Sequence, residues 1–104
     1  MPTATVQIEI AGKLSQEAGF GDDPVDAAYK TISKITKTKS QLLRFSVNAI
    51  TGGTDAQGEV MVILEEAGIR VTGHRAHTDI IIAAAKAYVN GLNKLDYQKR
   101  IKGV

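Results

Sequence analysis

The chain's two histidines, His74 and His77, stand three residues apart, and Asp79 follows two residues after the second. Two imidazoles and a carboxylate are the nearest approach to a metal site in this sequence, with Asp79 as the third ligand. The competing reading is a pair of exposed or hydrogen-bonded histidines at a strand-to-helix corner. It needs no ion, and we favour it; no metal ligand set is assigned. Nucleophilic catalysis has less still to draw on. There is no cysteine, and no serine sits in a nucleophile-elbow pattern. Asp22, Asp23, Asp26 and Asp55 fall in turns and first helical turns, where capping accounts for them. No catalytic residue is assigned.

Two glycine-rich stretches could cradle an anion. Thr51 to Gly58 (TGGTDAQG) lacks the lysine and the following helix of a phosphate-binding loop. Gly19 to Pro24 (GFGDDP) does open a helix, but two aspartates there repel phosphate. A zwitterion suits such a helix start better, its carboxylate facing backbone N–H groups and its ammonium facing an acid. The same glycines could equally do no more than turn the chain. Lys30, Lys34, Lys37 and Lys39 form a basic run at the end of the same helix, where cations complement the dipole and face water. A nucleic-acid surface would want aromatic platforms among them, and the chain has three tyrosines and two phenylalanines in all. No nucleic-acid partner is expected.

The elements that must hold these residues follow from periodicity. Asp22-Asp23 before Pro24 reads as an N-cap with proline at the first helical position. Val25, Ala28, Tyr29, Ile32 and Ile35 then share a face. A second helix is predicted to open at Thr78-Asp79 and run to about Leu95, its apolar side made by Ile81, Ala84, Ala85, Tyr88, Leu92 and Leu95 and small in the middle, which permits close packing on a sheet or another helix. Gly91 near its end lowers helix propensity. Alternation predicts strands around Val6–Ile10, Lys13–Ala18, Leu43–Ala49, Val60–Leu64 and Ile69–Gly73, with turns at Gly12 and Ala67-Gly68. In the third, Leu43, Phe45, Val47 and Ala49 alternate with Arg44, Ser46 and Asn48. The order ββα-βββα predicts an α+β fold in which antiparallel sheets pack against two helices.

Sliding the sequence by 56 residues overlays Val6 on Val62, Glu9 on Glu65, Ala11-Gly12 on Ala67-Gly68, Asp23 on Asp79, Ala27-Ala28 on Ala83-Ala84 and Lys30 on Lys86. These eight identities fall at matching points of a ββα pattern. They predict duplicated ββα units about a pseudo-twofold axis, one over about 4–38 and the other over about 42–95, within a single domain of 1–104. The stretch from about Leu42 to Gly58 has no counterpart in the first unit, and is either a place for function or simply a fifth strand.

Composition sets the remaining limits. The 104 residues are 43% hydrophobic and 23% charged with a formal net charge of +2, an ordinary globular balance that demands neither nucleic acid nor membrane. No apolar run is long enough to span a bilayer. No basic-then-apolar leader opens the sequence, so a cytoplasmic location is expected. A core of this size gains from an oligomer interface.

Three ordered motifs carry a family resemblance over about Ala4 to Leu95. Gly19 to Lys30 (GFGDDPVDAAYK) resembles the glycine–proline turn and helix of the C-terminal regulatory domain of the 2-isopropylmalate synthase and citramalate synthase family. Phe45 to Val60 (FSVNAITGGTDAQGEV) resembles its central signature. Thr78-Asp79-Ile80, with Ala84 to Asn90 and Leu92-Asn93, is similar to its last helix.

The resemblance implies a sensor. In the family this domain follows a TIM barrel that uses a divalent metal to condense acetyl-CoA with a 2-oxo acid. It dimerises and binds the pathway's end product, leucine or isoleucine, inhibiting the barrel. No cofactor is then expected in this chain. The expected partners are leucine or another branched-chain amino acid, a second copy, and the parent's barrel. Carried over by position, Gly19, Gly21, Val25 and Asp26 form one wall of the effector site. Leu42, Phe45 and Ala49 line its aliphatic part, Asp55, Ala56 and Gly58 close it, and Thr78 and Ile80 contribute from the second helix. Asp26 is the inferred ammonium partner. Phe45 stands where the family often has tyrosine. The small Ala49 and Ala56 favour leucine, hence 2-isopropylmalate synthase; isoleucine with citramalate synthase, or a ligand-free dimerisation module, are the alternatives. On this reading Gly21→Asp abolishes feedback without unfolding the domain.

Overall fold

A computed structural model describes residues 3–10, 13–50 and 57–102. The turn at Gly12, Asp55 and Ala56 lie outside them. The chain divides into two compact units, Met1–Thr38 and Lys39–Val104, and its architecture is α+β: a two-stranded and a three-stranded antiparallel sheet with two helices.

In the first unit β1 (Thr3–Ile10) pairs antiparallel with β2 (Lys13–Phe20), and α1 (Pro24–Thr36) packs on both. Asp23 caps α1 with extended backbone, its Oδ1 accepting the Asp26 N–H at 2.8 Å, and Pro24 takes the first turn, where its missing N–H costs nothing. Lys37 ends the helix in the left-handed region, φ 53°. The buried side of α1 is Ala27, Ala28, Tyr29, Thr31 and Ile32; Val25 and Ile35 are half-buried. Thr31 is tolerated inside because its hydroxyl donates to the Ala27 carbonyl at 2.7 Å.

The second unit is a sheet of order β3-β4-β5, from β3 (Gln41–Ile50), β4 (Gln57–Glu66) and β5 (Ile69–His77), with α2 (Ile80–Lys102) laid on β4 and β5 and not on β3. Ala67 and Gly68 join β4 to β5 with φ of 53° and 77°, the two positive values that a tight hairpin turn requires. Val60, Val62 and Leu64 alternate into the core at 0% exposure. Each contributes about 1.5–3 kcal/mol by leaving water.

Several boundaries and one face differ from expectation. β2 and β5 run on to Phe20 and His77 rather than ending at Ala18 and Gly73. α2 continues to Lys102 instead of stopping near Leu95. Its last turns contain no breaker, and Lys99 reaches back to Glu66 on β4 at 2.5 Å, both side chains partly buried. The buried side of α2 is Ala83, Ala84, Ala87, Tyr88, Gly91 and Leu95, whereas Ile81 is exposed and Ala85 and Leu92 are half-buried. The cause is Gly73: a Cβ there would overlap the Ala87 carbonyl oxygen and lie 2.5 Å from the Gly91 nitrogen. At this point β5 and α2 approach so closely that only small residues fit, while Tyr88 and Leu95 are buried to either side of it. The stretch without a repeat counterpart is a strand, β3, and its ladder shifts register between Leu42 and Arg44. Leu43 is therefore the extra residue of a bulge and not part of the alternation.

Candidate functional site

Four of the expected residues, Gly19, Gly21, Val25 and Asp26, belong to the first unit. Neither glycine has a positive φ, so neither is required for left-handed backbone. A Cβ on Gly19 would sit 2.5 Å from Thr31 Oγ1. One on Gly21 would collide with the Ala27 nitrogen and lie 2.6 Å from its Cα. Both are bare so that the end of β2 can lie against α1. The obstacle at Gly21 is helix backbone rather than a flexible side chain, which weighs against the expectation that Gly21→Asp leaves the fold intact.

Asp26 closes the α1 start from inside. Its Oδ2 accepts the Asp22 N–H at 2.9 Å and pairs with Lys30 at 3.2 Å. The Asp22 N–H first, then Lys30, hold its carboxyl below its usual range. The anion is thus fixed at the positive end of the helix dipole. Lys30 of the basic run is engaged in this pair, and Lys37 forms the helix C-cap.

The second unit holds Leu42, Phe45, Ala49, Gly58, Thr78 and Ile80. Leu42 pairs with Leu64, Phe45 with Val62, Val47 with Val60 and Ala49 with Gly58. Residues paired across an antiparallel ladder stand on the same side of the sheet. Leu42 and Phe45 are three apart and would face opposite ways in a regular strand; the bulge at Leu43 puts them together. Val60, Val62 and Leu64 are covered by α2, but their β3 neighbours are only partly covered: Leu42, Phe45 and Val47 are 42%, 39% and 44% exposed. An apolar strip therefore runs along the inner face of β3.

At one end of the strip Ile80 takes the space that a side chain on residue 58 would occupy. A Cβ on Gly58 would overlap Ile80 Cδ1 and lie 3.9 Å from Val47 Cγ1. Ile80 and Val47 thus both border Gly58. Alternation alone could have found Val47, midway between Phe45 and Ala49. Thr78 is exposed and precedes Asp79, whose Oδ1 accepts the N–H groups of Ile81 and Ile82 at 2.8 and 3.3 Å. The repeat is visible here: Ala27 donates to the Asp23 carbonyl, and Ala83 to that of Asp79, both at 2.9 Å.

His74 and His77 project from opposite faces of β5, since His74 pairs with Met61 and His77 with Gly58. The His74 backbone N–H donates to Asn90 Oδ1, and His77 Nδ1 accepts the Asp79 N–H at 2.9 Å. Among the described residues no group of three His, Cys, Asp or Glu side chains could hold a metal. Among them, too, no helix is long and apolar enough to cross a membrane.

Residues 1–96 match the family model of the LeuA allosteric (dimerisation) domain. The chain belongs to that family. It is 54% identical to the 2-isopropylmalate synthase of Syntrophus aciditrophicus over 99% of this chain and 20% of the relative. The 2-isopropylmalate synthases of Heliobacterium modesticaldum and Nitrosomonas europaea are 50% and 53% identical, each over 91% of this chain and 19% of its own length. The chain thus spans about a fifth of these curated relatives. The matched part of the LeuA domain ends inside α2, and the turns from Tyr97 to Lys102 extend beyond it.

Proposed function

We infer that this chain is the regulatory, dimerising part of a 2-isopropylmalate synthase, and that it binds leucine as the feedback inhibitor of that enzyme's leucine-forming pathway. The observation that carries the reading is the likeness to 2-isopropylmalate synthases at about half identity over nearly the whole chain. The β3 strip supports it. A half-covered aliphatic surface beside a glycine can enclose a branched side chain, and it also gives a second copy something to bury. The effector contacts proposed are those named from the sequence, with Val47 added.

Turnover is assigned to the rest of the parent protein and not to this chain. The divalent metal expected of the parent's barrel finds no donor set among the described residues, so no step here runs through one. What this chain supplies is a coupling free energy. Leucine favours one packing of the dimer, and that packing biases the barrel. A cytoplasmic location follows from the same reading.

Calorimetric titration of the purified chain with leucine, isoleucine and valine, with its mass in solution measured alongside, tests this. A dimer that binds leucine best, at one site per chain or fewer, is the expected result. An isoleucine preference would move the parent to citramalate synthase, and an intact dimer that ignores all three would leave a dimerisation module alone.

A further inference from the structure

His77 ends β5 opposite Gly58, and its Nδ1 accepts the Asp79 backbone N–H at 2.9 Å. A ring nitrogen that accepts must carry its lone pair, so this hydrogen bond requires an Nδ1 without a proton. Asp79 opens α2: its carbonyl takes the Ala83 N–H and its Oδ1 those of Ile81 and Ile82. Ile80 lies between these anchored residues, and its Cδ1 covers Gly58. One line of contacts leads from the imidazole through the helix cap to the apolar strip.

We propose that His77 is a pH-sensitive positioning residue, whose protonation breaks the bond from the Asp79 N–H, loosens the first turn of α2 and weakens effector binding through Ile80. The last step rests on the effector reading above; the first two do not. A protonated Nδ1 sets a donor against the Asp79 donor, at a helix end whose dipole opposes a cation. The charged and titratable neighbours are Asp79 from α2, Arg75 on the same face of β5, His74 on its other face, and Glu59, which pairs with Ala76 and projects away from the Gly58 side of β4. Among these described neighbours the Asp79 carboxylate is the group on the His77 side that would favour the cation, and it is engaged with Ile81 and Ile82. Acid therefore weakens the helix start.

The test follows the chain from pH 8 to about pH 5.5, the interval in which histidines change charge. Nuclear magnetic resonance reads the Asp79 amide and the His77 ring, and calorimetry reads leucine affinity at both ends. His77→Asn sets an amide oxygen where Nδ1 stands, an acceptor that does not titrate. In the native chain the Asp79 amide is expected to move with the His77 ring, and affinity to fall roughly fivefold, the equivalent of one hydrogen bond. In His77→Asn both should stay flat. An Asp79 amide that ignores the ring, or an equal loss of affinity in His77→Asn, overturns the proposal. Absence of leucine binding at pH 8 with an amide that still follows the ring refutes the effector reading while supporting the switch.

Discussion

Gly73 of β5 and Gly91 of α2 meet backbone to backbone: a side chain on residue 73 would stand 2.5 Å from the Gly91 nitrogen. The two positions are not equivalent. At residue 91 the first obstacle is Leu64 Cδ1 at 2.9 Å, the far end of a side chain that can rotate. At residue 73 it is helix backbone, so α2 itself must lift. Gly73→Ala should therefore cost about 1–3 kcal/mol. Gly91→Ala should cost less, because alanine's helix propensity returns about 1 kcal/mol against the crowding. Urea midpoints of the two variants check the order.

Gly21→Ala should destabilise the first unit by a similar amount, about 1–3 kcal/mol, because its methyl would run into the Ala27 backbone. Gly21→Asp should be worse. Loss of feedback in either variant then reports a damaged join between β2 and α1 as much as a damaged site. Circular dichroism melts taken beside the inhibition assay would show it as a lowered midpoint.

Asp26 gives the chain an acid-sensitive contact. Its carboxyl is held below its ordinary value of 3.8 by the Asp22 N–H and Lys30. A depressed carboxyl stabilises the folded state fully above the unfolded value, and loses that contribution as pH falls through the folded one. Native protein should lose stability between about pH 5 and pH 2 more steeply than Asp26→Asn. Unfolding midpoints collected over that interval would decide it, parallel curves being the contrary result.

Gly58→Ala separates site from fold. The obstacle is the tip of the Ile80 side chain, which can swing away, so the stability loss should stay below about 1.5 kcal/mol. The displaced tip would enter the space beside Val47. Leucine affinity should fall on the order of tenfold, as read by calorimetry with the melting point as control.

Much of this fold is legible in the residues. Asp23-Pro24 announces the start of α1, and the recurrence of Asp23 and Ala27 as Asp79 and Ala83 places the second cap. The face of α2 was legible in part: Ala84, Tyr88 and Leu95 are buried as the periodicity has it, but Ile81 is not, for a physical reason. Periodicity ranks residues by the apolar area they can bury and so turns Ile81 inward, whereas the contact between Gly73 and Gly91 selects the smallest residues. The cue was Gly91 itself, a poor helix former retained inside a helix. The candidate residues on β3 shared this fate in part. Leu42 and Phe45 lie on one face only because Leu43 bulges, and a one-residue slip cannot be read from alternation.

The half-covered strip has a colloidal consequence. β3 is an edge strand of ten residues with no proline, and Leu42, Leu43, Phe45 and Val47 are all partly open to water. Such edges invite strand-to-strand aggregation unless something covers or charges them. Arg44 is the only charged side chain in β3 and serves as its gatekeeper. Arg44 and whatever lies over the strip thus both guard this edge against strand pairing. Where a second copy supplies that cover, dilution separates the pair and opens the strip on each chain.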